Sequence, residues 1–428
     1  MNGCVSLTTC HLPAQLENII QFLFYGCENL TTVNIPEGIT SIGDGAFYGC
    51  SSLTDFNIPE GTISIGDGAF CGCSSLTDVT FPSTLTTIGK FAFEYDEKLG
   101  PDIVIPEGVT EIGYAAFGDC YSLESIVLPS TLQSIGEFAF TVCTKLKNVT
   151  FPDQLTQIGG AALQECKSLT TCHLPAQLEN IDLYLFYGCE NLTTVNIPEG
   201  ITSIGNSAFQ GCSILTDITL PSTLTTIGDW AFGYAEKIGP DIMIPEGVTE
   251  IGIAAFRNCS SLETIILPNS LQSIGDYAFA TCIKLNNVTF PDHLTHLNKG
   301  VLQGCTSLTT CLLPAQMEYI DQWLLSETAI SHIEIPEHVA RIYSHAFQEC
   351  LSLQELSLPA GLTEMADSVF TLGTRLETLN LASTVPPTVA KDTFDDYSTA
   401  IFVPKGTGDA YRKDEIWGRF ATINEQEE

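Results

Sequence analysis

The chain has 428 residues, of which 44% are hydrophobic, enough to bury a large core. Its 51 acidic residues outnumber 16 lysines and arginines, and the formal charge of -35 is expected to repel nucleic acids and anionic membrane surfaces. The sequence has no run of 18 apolar residues, and its start lacks the basic and apolar regions of a signal peptide. We therefore expect neither direct membrane insertion nor a leader within this chain.

A proline recurs every 23 residues along most of the chain, and only three steps deviate, each by one residue. A period of this length is typical of solenoids, in which each unit buries its apolar face only against its neighbours. The period therefore predicts one long array of repeats in place of two or three globular domains. The prolines that mark the units are Pro13, Pro36, Pro59, Pro82, Pro106, Pro129, Pro152, Pro175, Pro198, Pro221, Pro245, Pro268, Pro291, Pro314, Pro336 and Pro359.

The unit at residues 30–52 begins with a predicted strand. Val33 and Ile35 alternate with polar residues, which is the period of two that a half-buried strand shows. Pro36 follows, and because proline has no N–H to continue a ladder, its recurrence is expected to end every strand at the same level. With two further strands near the end of the chain, the sequence predicts 18 strands.

The second half of the unit contains a predicted turn and a buried aromatic ring. Gly43 is expected to supply a permissive backbone for a sharp turn, and Asp44–Cys50 is expected to form one helical turn. The pair Ala46 and Phe47 recurs in nine further units. We expect the phenylalanine rings to stack in a continuous internal column.

Cysteine follows the same period, because thirteen of the seventeen cysteines occupy one position of the unit. Such a row is compatible with disulfides or metal binding between neighbouring units, or with buried thiols that donate weakly to the backbone. We favour buried thiols, since there are no CxxC pairs of the zinc type and the cysteine total is odd. The row consists of Cys4, Cys27, Cys50, Cys73, Cys120, Cys143, Cys166, Cys189, Cys212, Cys259, Cys282, Cys305 and Cys350.

The array contains an internal duplication. Residues 7–38 and 169–200 match at 29 of 32 positions, and later segments match at an offset of 139 residues. Each copy has one irregular unit with an inserted residue, at 97–102 and 236–241, where Asp96 or Ala235 replaces the cysteine and where we expect a bulge or bend. Because a catalytic centre seldom occurs twice in one array, the duplication favours repeated contacts over one unique pocket.

The end of the chain departs from the pattern. We predict an array at residues 1–381, without an N-terminal cap, and a C-terminal capping segment at residues 382–428. That segment is expected to contain a strand at Ala400–Val403 and a helix at Thr407–Arg419. The apolar side of the helix would consist of Tyr411, Ile416, Trp417 and Phe420.

The motif L-x-x-[IV]-x-[IL]-P-x-x-[ILV]-T-x-I-G-x-x-A-F-x-x-C, present at Leu123–Cys143 and Leu262–Cys282, resembles the BspA-like leucine-rich repeats of bacterial and protist surface proteins. The resemblance covers essentially the whole chain. It implies an α/β solenoid, a right-handed curved stack of about 18 units with a parallel β-sheet on the concave face and short helical turns elsewhere. It also implies a secreted or cell-surface location, and some members are adhesins for matrix proteins or other cells.

No pattern typical of an enzyme or a metal site stands out. The sequence lacks a glycine-rich phosphate loop, an HExxH motif and a GxSxG motif. His293 and His338 share a column but belong to units two apart, about 9.6 Å at the strand spacing, which is too far for two ligands of one zinc ion. We predict no enzymatic activity, no cofactor and no metal.

The remaining candidate site is the outward side of the predicted strands, whose residues are small and polar. It lacks the aromatic platforms typical of sugar binding, which favours contact between a monomeric, adhesin-like rod and an extracellular or host protein. Two alternatives remain: a spacer that presents an absent upstream domain, and a solvated face without a ligand. The candidate binding residues are Thr32, Asn34, Asp55, Asn57, Asp78, Thr80, Asn148, Thr150, Thr194, Asn196, Asp217, Thr219, Asn287 and Thr289.

Overall fold

The computed structural model describes residues 1–374 and 376–426, and it shows a parallel β-solenoid of about 18 turns spaced by about 23 residues. The chain divides into two compact units, Met1–Thr223 and Leu224–Glu428. In each unit the turns contribute strands of three or four residues, here called face strands, and strands of two residues, here called side strands. The predicted fold class is therefore confirmed.

The unit Met1–Thr223 is built from two ladders of strands. Its face strands are Thr9–His11, Thr32–Asn34, Asp55–Asn57, Asp78–Thr80, Asp102–Val104, Ser125–Val127, Asn148–Thr150, Thr171–His173 and Thr194–Asn196. Its side strands are Asn18–Ile19, Ser41–Ile42, Ser64–Ile65, Thr87–Ile88, Glu111–Ile112, Ser134–Ile135, Gln157–Ile158, Asn180–Ile181 and Ser203–Ile204.

The unit Leu224–Glu428 repeats this arrangement and adds the two short helices of the chain's described residues. Its face strands are Asp241–Met243, Thr264–Ile266, Asn287–Thr289, Glu355–Leu358, Thr378–Leu381, Ala400–Val403 and Thr422–Glu425. Its side strands are Thr226–Ile227, Glu250–Ile251, Ser273–Ile274, Tyr319–Ile320, Arg341–Ile342, Glu364–Met365 and Thr388–Val389. The α-helix is Gly408–Lys413, and a 3₁₀ turn follows at Trp417–Arg419.

Neighbouring face strands are parallel and in register, so equivalent residues of successive turns lie side by side. Asn148 pairs with Thr171 and Thr150 with His173, while Val149 between them points into the core. Among the described residues of the first unit, the pairing is interrupted twice: between Thr32–Asn34 and Asp55–Asn57, and between Asp78–Thr80 and Asp102–Val104. Only the second interruption coincides with an inserted residue, beside the cis Gly100–Pro101 peptide, so a break in the face ladder is not specific to the irregular unit.

The segment predicted to be a helical turn is not helical. In Asp44–Cys50, the backbone N–H groups of Gly45, Phe47 and Gly49 donate to carbonyls of the next turn at 2.7–2.8 Å. Gly45 and Gly49 have positive φ values, and only the alternate N–H groups of Ala46, Tyr48 and Cys50 bond to the carbonyl three residues earlier, so the segment is a run of tight turns without continuous helical bonding. The segment is therefore a third ladder of hydrogen bonds between turns.

The predicted role of Gly43 is also corrected. Its φ is outside the left-handed region, so a permissive backbone is not the reason for glycine. A Cβ at this position would lie 2.6 Å from the backbone nitrogen of Gln21 and 2.8 Å from the carbonyl oxygen of Ile19. Glycine is required because the backbones of adjacent turns approach too closely for any side chain.

The core contains stacked rings in both units, but the column is not continuous as predicted, because Leu163, Leu302 and Leu325 occupy the ring position in three turns. Neighbouring rings from Phe24 to Phe140 are stacked with centroids 5.1–5.8 Å apart, and the ring of Phe256 stacks on those of Phe232 and Phe279. These phenylalanines are almost completely buried. Stacking of like side chains from successive turns provides the apolar burial that one turn alone cannot achieve.

The row of cysteines is reduced and, except for Cys4, buried, as the favoured interpretation predicts. The Sγ of Cys50 donates to the carbonyl of Phe24, and the Sγ of Cys143 to that of Phe117, each at 3.2 Å. Burial raises the pKa of both thiols to about 12. They are therefore protonated at neutral pH and are poor nucleophiles and metal ligands.

Asp96 occupies a position of this row and is completely buried. Neither carboxyl oxygen has a hydrogen-bond partner among the described residues. Burial raises the pKa of Asp96 well above its ordinary value, and the nearby amide of Cys73, which donates to the carbonyl of Phe70, opposes this rise only in part. Ala235, at the equivalent position of the other copy, is also buried.

The end of the chain covers the last turns with aromatic side chains. The indole N–H of Trp417 donates to the carbonyl of Pro387, and the hydroxyl of Tyr411 donates to that of Ser383, both at 2.8 Å. The predicted strand Ala400–Val403 is confirmed. The helix predicted at Thr407–Arg419 ends at Lys413, because the Asp414 carboxylate accepts the N–H of Trp417 and starts a separate 3₁₀ turn. The division at residues 381 and 382 remains a proposal.

Candidate functional site

The strand face consists of the first and third residues of each face strand and the equivalent residues at 217, 219, 310, 312, 332 and 334. Side chains alternate in direction along a strand, so these residues point away from the core while the residue between them is buried. The pattern is clear at Asp78–Thr80, where Val79 is buried between two exposed residues. All fourteen candidate binding residues are exposed on this surface.

The register decides which candidate residues are neighbours. In the first unit, Asp55 pairs with Asp78 and Asn57 with Thr80. Farther along the same unit, Thr194 forms a bridge with Asp217. Most of the other candidates also pair with neighbouring strands. Thr32 and Asn34 pair with Thr9 and His11, and Asn148 and Thr150 pair with Thr171 and His173, which pair in turn with Thr194 and Asn196. In the second unit, Asn287 and Thr289 pair with Thr264 and Ile266.

The strand face is acidic in both units. Within the described residues it contains no lysine or arginine, whereas the first unit contributes four carboxylates and the second unit three. A surface of this kind attracts cationic groups and repels anionic ones. The carboxylates are Asp55, Asp78, Asp102, Asp217, Asp241, Glu334 and Glu355.

The prediction of a small and polar strand face is wrong at five positions. Aliphatic side chains are largely exposed there, with exposed fractions of 61% for Val104, 55% for Val127, 68% for Met243, 50% for Ile266 and 70% for Leu312. The register places Val104 beside Val127 and Met243 beside Ile266. The face therefore combines polar surface with exposed apolar pairs.

Val104 and Met243 are absent from the candidate residues because both belong to the irregular units. The inserted residue moves these strands out of the 23-residue step, so a count from the preceding unit misses them. A usable signal is the distance from the next proline: each lies two residues before Pro106 or Pro245, as Asn34 lies two residues before Pro36. Counting back from the proline finds the outward positions of every unit that has one, but not those of Thr378–Leu381 and Thr422–Glu425, which no proline follows.

Shallow depressions lie along the strand face in each unit. In the first unit one of about 570 Å³ is lined by Asn34, Asp55 and Asn57. In the second unit one of about 270 Å³ is lined by Ile266, Thr289 and Pro291, and another of about 340 Å³ by Asn287, Leu312 and Glu334. Open depressions of this kind suit the side chains of a large partner better than an enclosed small molecule.

Titratable groups with shifted pKa values lie away from the strand face. Burial raises the pKa of Glu94, and the charge of Asp119 raises it further. The Sγ of Cys71 lies 3.9 Å from Oε2 of Glu94, and burial together with that carboxylate raises the pKa of Cys71 to about 12. Such a thiol is protonated at neutral pH, so this cluster offers no activated nucleophile.

The part of the chain that the structure describes contains neither a cluster of metal ligands nor a membrane-spanning helix. No group of three or more histidine, cysteine, aspartate and glutamate side chains there is arranged to hold a metal ion. The helices described at residues 408–413 and 417–419 are too short to cross a membrane, and no other helix of that part is long and apolar enough.

Known proteins resemble the chain in sequence and fold. The family model of the BspA type leucine rich repeat region matches residues 1–124, 110–239, 240–353 and 285–400. No curated protein is significantly similar in sequence. A leucine-rich repeat protein from Bacteroides ovatus of known structure is 27% identical, with 93% of this chain and 92% of that chain covered and a TM-score of 0.69.

A leucine rich cell surface protein from Faecalibacterium prausnitzii is 28% identical, with 87% of each chain covered and a TM-score of 0.42. The family model covers most of the chain, and the fold of the Bacteroides ovatus protein agrees with the parallel solenoid described above. The chain therefore belongs to the BspA-type leucine-rich repeat family.

Proposed function

We propose that this chain is a non-enzymatic, adhesin-like protein of the cell surface or the extracellular space that binds extracellular protein ligands through its strand face. The observation that supports this proposal is the strand face itself: exposed residues in register, seven carboxylates and no lysine or arginine among the described residues. Family membership supports binding over catalysis, since leucine-rich repeats generally mediate contacts between proteins.

The proposal is tested with four substitutions on the strand face: Asp78→Ala, Asn148→Ala, Asp217→Ala and Asn287→Ala. Capture of purified extracellular matrix proteins by the immobilised chain is expected to weaken about tenfold or more, because two carboxylates and two amides leave the contact surface. The measurement is the dissociation constant of each matrix protein that the unchanged chain captures.

A matched control carries Glu111→Ala, Gln157→Ala, Glu250→Ala and Gln272→Ala. These four residues are also exposed, and their substitution also removes two carboxylates and two amides. They lie on or beside the side strands and not on the strand face. Their removal should leave capture within about twofold of the unchanged chain. Equal losses in both variants, or no capture of any matrix protein, would contradict the proposal and favour a spacer role.

A further inference from the structure

We propose that the strand face carries two equivalent anchor sites, one in each copy of the duplicated block, and that each holds a segment of a protein ligand that is both basic and aliphatic. Anchor site 1 is Asp102, Val104 and Val127. Anchor site 2 is Asp241, Met243 and Ile266. This inference rests on the proposed function, and it adds the contact residues, their number and the chemistry of the partner.

Anchor site 1 combines a carboxylate with two exposed aliphatic side chains on neighbouring strands. Val104 and Val127 are paired in register, so their side chains stand side by side at the strand spacing of about 4.8 Å. Asp102 lies two residues before Val104 and therefore points to the same side. The hydroxyl of Ser125 donates to Oδ1 of Asp102 at 2.6 Å, which holds the carboxylate beside the apolar pair.

Anchor site 2 repeats this strand register in the second unit. Met243 pairs with Ile266, and Asp241 pairs with Thr264, which takes the place of Ser125. The depression of about 270 Å³ beside Ile266 is bounded by Thr289 and Pro291. An aliphatic side chain of a ligand can enter this depression while a cationic group contacts Asp241.

The two copies support a role for the apolar pairs. The candidate residues Asp78, Thr80, Asn148 and Thr150 are identical to their counterparts Asp217, Thr219, Asn287 and Thr289. The anchor positions, in contrast, have changed from Val104 to Met243 and from Val127 to Ile266, yet both have stayed aliphatic. Contact with water does not stabilise exposed aliphatic side chains. That both positions stay aliphatic in the two copies therefore points to an apolar contact with a partner.

The chemistry of the partner follows from the charge around each pair. Each anchor site has one carboxylate, and the described strand face has no lysine or arginine to neutralise it. A ligand segment with lysine or arginine next to leucine, isoleucine or valine satisfies both features, whereas an acidic segment is repelled.

The test uses a synthetic peptide of alternating lysine and valine as the probe, with an alternating lysine and serine peptide as the charge control. Isothermal titration calorimetry is expected to show two equivalent sites for the lysine and valine peptide, and binding about tenfold or more weaker for the lysine and serine peptide. Val104→Thr with Val127→Thr should reduce the stoichiometry to one site, as should Met243→Thr with Ile266→Thr. All four changes together should abolish the tight binding.

The proposal is overturned if both peptides bind equally well, or if the fourfold threonine variant keeps both sites. Threonine favours strands as valine does, and the positions are exposed, so the variants should keep the circular dichroism spectrum and melting temperature of the unchanged chain. If the spectra differ, Asp102→Asn and Asp241→Asn provide a second test, because these substitutions keep the shape of the surface. They should weaken binding of the lysine and valine peptide about fivefold or more.

Capture of matrix proteins separates failure of the anchor sites from failure of the proposed function. The fourfold alanine variant of the strand face can lose capture while the fourfold threonine variant keeps it. In that case the strand face binds the ligand, and the proposal of the anchor sites is wrong. If neither variant loses capture, the strand face is not the binding surface and both proposals fail. Loss of capture in both variants supports both.

Discussion

Replacing Ala235 by aspartate is expected to lower the free energy of unfolding of the unit Leu224–Glu428 by about 3 kcal/mol at pH 7. Ala235 is completely buried in the row of cysteines, where a larger side chain must displace its neighbours and a carboxyl would be taken out of water. All three tryptophans of the chain, Trp230, Trp323 and Trp417, lie in this unit. Urea unfolding followed by tryptophan fluorescence therefore reports the effect directly.

The control for this variant is Ala235→Cys, which restores the residue that most other units have. Because a buried thiol is tolerated throughout the row, its free energy of unfolding should stay within about 1 kcal/mol of that of the unchanged chain. An aspartate variant as stable as the cysteine variant would contradict this account of the row.

The converse substitution, Asp96→Cys, is expected to stabilise the unit Met1–Thr223 by about 1–3 kcal/mol at pH 7, since it removes a buried carboxyl without a hydrogen-bond partner. The pKa of Asp96 in the folded chain is raised above its usual 3.8, so the folded chain holds the proton more tightly than the unfolded chain. The stability of the unchanged chain relative to the variant is therefore greatest below about pH 4 and falls as the pH rises toward the pKa of the folded chain.

Hydrogen exchange of the turns around Asp96, measured in both chains at pH 4 and pH 7, tests this dependence. The advantage of the cysteine variant should be larger at pH 7 than at pH 4. An advantage that is equal at both values, or larger at pH 4, would show that Asp96 is not a buried group with a raised pKa.

Replacing Gly136 by alanine is expected to cost about 2–3 kcal/mol of stability in the unit Met1–Thr223. A Cβ at Gly136 would lie 2.7 Å from the carbonyl carbon of Gly113 and 2.7 Å from the nitrogen of Tyr114. These are backbone atoms of the preceding turn and cannot move without disturbing the ladder. Thermal unfolding followed by circular dichroism measures the loss.

Gly38→Ala is the matched control, because the nearest atom to its added Cβ, the carbonyl oxygen of Leu16, is 3.8 Å away and its φ is not in the left-handed region. Alanine there should leave the melting temperature unchanged or raise it slightly. Similar losses in both variants would mean that the spacing of the turns, as described here, is not what selects glycine.

The sequence predicts the core well because the core repeats. Phe47, Cys50 and Val33 recur at a fixed period, and each can only fill the same place in successive turns. The helical turn at Asp44–Cys50 was predicted wrongly, because a short segment with glycines is compatible with a helical turn and with a left-handed backbone that bonds to the next turn. Only the neighbouring turn decides between them, and a period alone does not show that contact.

The strand face is harder to predict for the opposite reason. Its side chains are exposed, so packing does not restrict them, and their chemistry varies from Asp78 to Val127 without any cost to the fold. The apolar pairs were missed where an insertion shifted the period, at Val104 and Met243. The ligand stays a proposal because the exposed residues indicate only the charge and polarity of a partner.

Labelling of the cysteines tests most directly the central claim that successive turns stack in register around a buried row of thiols. All seventeen cysteines are free, and only Cys4 is exposed. Iodoacetamide followed by mass spectrometry should therefore add one label rapidly to the native chain and seventeen labels in urea. Rapid labelling of several cysteines in the native chain, or fewer than seventeen labels in urea because of disulfides, would contradict the stacked arrangement.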